Sequence, residues 1–337
     1  MESYDVDMPD FFPEGKRYNT FVGYYRRLYG ERLQKLVIDA GFTCPNRDGT
    51  VGYGGCSFCD NAAFHPSYST SGKSISEQID EGIEFHHVRY RNTKHYLAYF
   101  QSYSNTYAPL YRLEKLYAEA LAHPDVVGVV IGTRPDCVDP EKLDFLAALK
   151  NGEVLPGWHR DGFSAPVVKV EYGIESCYDG TLLRVGRGHD VAAAERAVEM
   201  SAERGLEPGA HFILGLPGET SDMLLDQCRF ISSLPLHSVK FHQLQIVKGT
   251  RMEKEFSERP QDFLRLSLPE YLDLVVDILE RLRPDLYIER VAGEVPPRFV
   301  GEVQWGLVRN FQILHMLDER LSERNTWQGR KYYEKID

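Results

Sequence analysis

Half of the six cysteines in this 337-residue chain stand in one short stretch, GFTCPNRDGTVGYGGCSFCDNAAF, from Gly41 to Phe64. Cys44, Cys56 and Cys59 are spaced C-x11-C-x2-C among Gly, Pro, Asn and Asp, the residues of turns and loops. A structural zinc site takes four ligands, usually as two close pairs. This loop has one close pair, the distant Cys44 and, as its local candidate for a fourth ligand, His65. Three thiolates instead suit a [4Fe-4S] cluster in which one iron keeps a position without a protein ligand, where a cofactor or substrate can bind. The remaining Cys137, Cys177 and Cys228 are scattered and read as buried or loop residues, so a second cluster is not expected.

Loops that do chemistry need elements to hold them. Apolar, β-branched runs recur along the chain as LQKLVIDAG, HYLAYFQ, VVGVVIGTR, VVKVEYGIES, GAHFILG and SVKFHQLQIV. Their continuous character predicts strands covered on both faces, as in a parallel sheet. Helical stretches separate them. Asp139 and Pro140 open one over PEKLDFLAALK, which ends at Asn151-Gly152; DVAAAERAVEMSAER stops at Gly205; and SDMLLDQCRFISS places Leu224, Leu225, Cys228 and Ile231 on one face. Six strand–helix units predict a βα-repeat fold, either an open doubly wound sheet or a full or partial barrel. In such folds the site is built by loops after the carboxyl ends of strands. The polar motifs follow that rule: the cysteine loop, QSYSNTYAP, TRPD, ESCYDG, GLPGET and KGT each follow a strand in turn. His242, Gln243 and Gln245 alternate with Leu244 and Ile246, a polar face for the barrel mouth or for solvent. The insert Glu153–Pro166 reads as a surface excursion or a lid.

The balance of 39 Lys and Arg against 50 Asp and Glu, a net charge of -11, argues against a broadly basic nucleic-acid-coating surface and leaves room for a local basic patch. The amino terminus lacks a signal-peptide pattern, and no apolar run approaches a membrane span, so no membrane association and a cytoplasmic location are expected. In a reducing compartment clustered cysteines are more often metal ligands or catalytic thiols than disulfides.

The cysteine triad, with Phe58 just before its last member, resembles the cluster motif of the radical S-adenosylmethionine (radical SAM) superfamily, in the long-spaced form of the branch that includes the elongator catalytic subunit. GTRPD, VEYGIES followed by VGRGH, and FILGLPGET resemble successive strand-end motifs of that branch. The wider string KLVIDAGFTCPNRDGTVGYGGCSFC with QSYSNTYAP and KFHQLQIVKGT resembles the YhcC/YtqA-type family of small bacterial radical SAM proteins. The resemblance spans roughly Arg17 to Arg298.

It implies an α/β fold, a partial (β/α)6 TIM-like barrel over residues 34–250, with an amino-terminal extension over 1–33 and a helical carboxy-terminal extension over 251–337. It also implies a cluster on Cys44, Cys56 and Cys59, and SAM on the open iron. Reductive cleavage of SAM there would give a 5'-deoxyadenosyl radical that abstracts hydrogen, with the protein orienting the cofactors and excluding water and oxygen.

Further contacts carry over by position. Ser104, Asn105 and Thr106 are candidates to hold the methionyl amine through backbone carbonyls and hydroxyls, although the family's Gly-Gly-Glu is missing here. Glu175 and Ser176 stand where relatives bind the ribose, and Arg187 where they bind the carboxylate. Arg134 is either a salt-bridged structural residue or a cofactor contact. His211 takes a position that is acidic in some relatives, and Gly215, Leu216 and Pro217 form a turn on which adenine packs.

For substrate, the kinship points to wobble uridine in tRNA, with conversion of a carboxymethylaminomethyl to an aminomethyl group. A reductase of flavodoxin or ferredoxin type would supply the electron. About forty residues follow the last motif, too few for an acetyltransferase domain, so acetyl-CoA chemistry is not expected. Basic and aromatic residues interleave in three segments: Arg26, Arg27, Arg32 and Lys35; Arg89, Arg91 and Lys94; and Arg324, Trp327, Arg330 and Lys331. These could bind phosphates and stack on bases if they share one rim around the cluster. A small-metabolite substrate and a non-enzymatic zinc- or cluster-binding module are the alternatives.

Overall fold

The computed structural model describes residues 8, 10, 12–13, 15–87, 93–301, 304–306 and 308–332. Arg89 and Arg91 lie outside them. Seven strands lie in one sheet in sequence order, each parallel to the next. They are β1 (Gln34–Ile38), β2 (Tyr96–Phe100), β3 (Val126–Thr133), β4 (Val167–Glu175), β5 (Gly209–Leu214), β6 (Ser238–Gln243) and β7 (Tyr287–Arg290). The sheet curves into a half-barrel. α1 (Phe21–Tyr29) precedes β1, and α2 (Ile75–His87), α3 (Leu110–Ala122), α4 (Pro140–Lys150), α5 (Asp179–Arg184), α6 (Val191–Glu203) and α7 (Ser221–Ser233) fill the connections up to β6. α8 (Arg251–Glu258) and α9 (Leu268–Arg281) stand between β6 and β7, and α10 (Asn310–Glu323) follows.

Strand alternation explains the two faces. Leu36, Ile38, Ala98, Phe100, Val170 and Phe212 belong to the main apolar core with the helices, and such burial contributes about 1.5–3 kcal/mol for each large side chain. Cys228 sits in that core on α7. The inner face is different: Lys35, Lys169, Glu171, Lys240 and Glu289 form a buried ion network inside the half-barrel. Helix ends follow the sequence signals. Asp139 caps α4 by accepting the Lys142 amide at 3.0 Å, and Thr220 accepts from Met223 to open α7.

The region read as a helical extension contributes α8 to α10 and one strand more than the six expected. β7 pairs with β6, but only four residues long and carrying Glu289 and Arg290, it lacks the apolar run that marks the other strands. The insert before β4 is no lid. Phe163 packs with Phe21, Tyr25 and Leu33, while Trp158 and Arg160 donate to the Leu121 carbonyl in the last turn of α3. It joins α1 in closing the end of the half-barrel at the strands' amino termini.

Candidate active site

The loop after β1 is built by its own backbone. The Cys44 carbonyl accepts from the Arg47 and Asp48 amides at 2.8 and 3.2 Å, and the Cys59 amide donates to the Cys56 carbonyl at 3.1 Å. Gly54 and Gly55 both have positive φ, and a Cβ on Gly55 would stand 2.9 Å from Arg47 Nε. The loop is tied to its surroundings where the Ser57 amide meets the Val185 carbonyl at 2.8 Å and the Met252 amide meets the Ser57 carbonyl at 2.9 Å.

All three cysteines line one cavity of about 260 Å³ at the carboxyl ends of the strands. Phe58, Ser104, Arg134, Glu175, Arg187 and His211 line it as well. Nitrogen donors face the sulfurs: Asn46 Nδ2 at 3.5 Å and an Arg187 terminal nitrogen at 3.4 Å from Cys56 Sγ, and an Arg47 nitrogen at 3.5 Å from Cys59 Sγ. Burial pushes the Cys59 thiol up, and Arg47 opposes the shift. Burial also works against the charge on Arg187, but Cys56 and Glu175 beside it hold the guanidinium protonated above the usual range. These donors stabilise thiolate, the form a metal cluster requires.

Arg187 is 7% exposed and Arg134 2%. Arg134 donates from Nε and one terminal nitrogen to the Asp136 carboxylate, at 2.8 and 2.7 Å, and from the other to the Arg187 carbonyl at 2.7 Å. Its guanidinium is thereby fully engaged, and it braces the turn that carries Arg187. Arg187 in turn lies 3.8 Å from Glu175 Oε1, while its Nε has no hydrogen-bond partner among the described residues. Glu175 has φ 74°, a left-handed backbone rare for its residue type, and burial pushes its carboxyl up.

The other expected contacts are not in the lining. Asn105 Nδ2 donates to the Phe100 and Gly132 carbonyls, and Thr106 Oγ1 donates to the Cys137 carbonyl; these side chains knit the loop after β2 to β3. Ser176 Oγ donates to Glu219 at 2.6 Å, and burial lifts that carboxyl to about 7. Gly215, with φ +89°, makes the turn after β5 beside Leu264. Burial raises the thiols of Cys137 to about 12, of Cys177 to about 11 and of Cys228 to about 12, as suits inert side chains.

Sequence reasoning did not single out several lining residues: Arg47, Tyr99, Glu171, Lys240 and Arg290. On β4 the alternation Lys169-x-Glu171-x-Gly173 was the available signal. Two basic segments also fall elsewhere. α1 meets Glu207 and His237 at the strands' amino ends, and Arg324 and Lys331 pair with Glu280 on α9. They do not rim the cysteine cavity.

The donor set fits a cluster better than zinc. His65 is held by Ser102 at 2.7 Å and is not in the cavity lining, and among the described residues no three Cys, His, Asp or Glu side chains gather on a single metal ion. A four-iron cluster takes its thiolates from separate corners.

The sequence matches the Radical SAM superfamily over residues 44–231, beginning at Cys44 itself, and the Radical SAM C-terminal domain over 236–323. It is 33% identical to the protein YtqA of Bacillus subtilis over 329 residues, covering 96% of this chain and 94% of that one. It is 24% identical to a tRNA uridine(34) acetyltransferase of Dehalococcoides mccartyi over 52% of this chain and 35% of that protein. The fold is similar to that of Elp3 from the archaeon Methanocaldococcus infernus, with TM-score 0.65 and 14% identity over 90% of this chain and 67% of that one. No helix among the described residues is long and apolar enough to cross a membrane. With its cysteine loop, half-barrel and two matched regions, the chain belongs to the radical SAM superfamily, in its YhcC/YtqA-type family, enzymes that use a [4Fe-4S] cluster and S-adenosylmethionine.

Proposed function

We propose that this radical SAM enzyme modifies the wobble uridine of tRNA in the cytoplasm, converting a carboxymethylaminomethyl to an aminomethyl group, with electrons from a flavodoxin- or ferredoxin-type reductase. Cys44, Cys56 and Cys59 would hold the cluster, and Arg187, braced by Arg134, would orient the SAM carboxylate, with Ser104 and Glu175 beside it. When bound, the cluster and SAM supply reductive sulfonium cleavage that initiates hydrogen abstraction. The chain's own part is to hold the reacting groups and keep water out: Phe58, Leu244 and Ile213 provide apolar wall, and the ion network closes the interior below.

The observation that carries the substrate assignment is at the mouth. Tyr103, 37% exposed and with φ 65°, lines the cavity with the Arg47 guanidinium 5.7 Å from its ring centroid. An exposed ring under a cation is a platform on which a splayed base stacks, worth about 1–3 kcal/mol. Sequence likeness to the tRNA uridine(34) acetyltransferase adds support. The net charge of -11 favours a second reading, a small-molecule substrate.

Anaerobic incubation with SAM, reductant and tRNA carrying 5-carboxymethylaminomethyluridine separates the two. Loss of that nucleoside with gain of 5-aminomethyluridine is the expected result. Formation of 5'-deoxyadenosine with the tRNA untouched would favour the small molecule.

A further inference from the structure

The inner face of the half-barrel carries more charge than a packed core tolerates without pairing. Each of its carboxylates is matched. Glu171 accepts from Lys240 at 2.7 Å and Lys35 at 2.5 Å, and from His211 at 2.8 Å; Glu289 meets Lys240 at 2.8 Å, Lys169 at 3.6 Å and also Lys35. The third contact of Lys240 Nζ is the Tyr99 hydroxyl at 3.4 Å. Burial drives the His211 imidazole down to about 4 and His242 well below its usual value, so both are neutral rings near pH 7. Three lysines against two glutamates already leave the interior positive.

Arg290 stands at the carboxyl end of β7 and lines the same cavity as the cysteines. Its position follows from a register irregularity: Val239 pairs with Ile288, but Lys240 pairs with Arg290, so Glu289 is the extra residue. The bulge lets Glu289 reach the lysines while Arg290 turns into the cavity opposite Lys240. The turn beyond is pinned, since the Gln243 side chain donates to the Gly293 carbonyl at 3.0 Å and accepts its amide at 2.8 Å. The His242 imidazole packs close on Gly293, where an added Cβ would stand 2.9 Å from Nδ1 and would have to displace the ring. Arg290 is exposed, and no hydrogen bond or ion pair joins its guanidinium to any described residue. Arg134, by contrast, is engaged at every nitrogen, and Arg187 has Glu175 and Cys56 beside it.

We propose that Arg290 recognises an acid group, carboxylate or phosphate, on the substrate that enters the cavity. A guanidinium fork offers two parallel donors to either anion, and the carboxylates around it already have partners: Glu171 and Glu289 the lysines beneath, Glu175 the Arg187 guanidinium, and Glu294 the Asn310 amide and Arg309. This deepens the function proposed above and rests on that reading for the identity of the substrate.

The test measures binding of three probes to the anaerobically reconstituted enzyme: the nucleosides 5-carboxymethylaminomethyluridine and 5-aminomethyluridine, and uridine 5'-monophosphate. The wild type binds at least one acid-bearing probe roughly tenfold or more tighter than 5-aminomethyluridine, Arg290→Gln removes that preference, and Arg290→Lys keeps part of it. Loss confined to the first probe identifies a carboxylate, and loss confined to the monophosphate identifies a phosphate. The inference is overturned if Arg290→Gln leaves all affinities unchanged, if it weakens 5-aminomethyluridine equally, or if the wild type binds neither acid. An equal loss of SAM affinity also overturns it, by assigning Arg290 to the cofactor. Wild-type protein that forms no 5'-deoxyadenosine would instead count against the function proposed above, because the binding comparison reads Arg290 without turnover.

Discussion

Arg187 reaches Cys56 Sγ, Glu175 and the Gly173 carbonyl from one guanidinium, which a lysine cannot copy because its ammonium is a single point donor. Arg187→Lys should therefore raise the KM for SAM by roughly ten- to a hundredfold, the worth of one or two charge-assisted bonds, in a 5'-deoxyadenosine assay. An unchanged KM would remove Arg187 from the cofactor site. Glu219 makes a separate, thermodynamic prediction. Its folded pKa of about 7 lies above the ordinary 4.5, so the folded state holds the proton more tightly. That stabilisation is present below the unfolded value and is lost as pH rises through the folded one. Between about pH 5 and about pH 8 the wild type should lose more thermal stability than Glu219→Gln, and parallel melting curves would contradict the assignment. At this scale the sequence was informative where a residue type has one demanding use. Three clustered thiols in a turn-rich loop could be read directly. The side chains of Asn105, Thr106 and Ser176 are harder to read, because hydroxyl and amide groups cap backbone as readily as they bind ligands; here they bond to the Phe100, Gly132 and Cys137 carbonyls and to Glu219.

Gly173 sits on β4 where a Cβ would stand 2.6 Å from an Arg187 terminal nitrogen and 2.7 Å from Glu175 Oε1. Gly173→Ala should displace the arginine and cut SAM cleavage at least tenfold while the far-ultraviolet circular dichroism stays that of the wild type. Gly128 on β3 contrasts with it, since its added Cβ would meet the Val167 carbonyl oxygen at 2.2 Å. There alanine should cost about 1–3 kcal/mol in urea unfolding, because backbone must move. The first six strands were legible because their outward faces feed the core with unbroken apolar residues. β7 was not: its inward Glu289 and Arg290 are tolerated only because three lysines, distant in sequence, await the carboxylate. Lys169 and Glu171 on β4 and Lys240 on β6 belong to the same concealed layer, which a reading of those strands as apolar runs passes over.

The whole molecule is a half-barrel closed at the strands' amino ends by α1, the insert before β4 and the chain after α10, and open at their carboxyl ends over the cysteines. The basic segments of α1 and of the chain after α10 lie away from the open end, so the condition under which they would serve RNA, one shared rim around the cluster, is not met by these two. Any tRNA contact has to be made at the open end, and affinity for tRNA should fall with salt and respond to Arg47→Ala but not to Arg26→Ala. Equal sensitivity of both variants would point to binding at the closed end. The central claim, that Cys44, Cys56 and Cys59 hold a cluster at which SAM is cleaved, is tested most directly by one assay. Protein purified without oxygen and reconstituted with iron and sulfide is incubated with dithionite and SAM, beside a variant with all three cysteines changed to Ala. The wild type should be iron-loaded and form 5'-deoxyadenosine while the variant does neither; a colourless, zinc-loaded wild type that leaves SAM intact would contradict the claim.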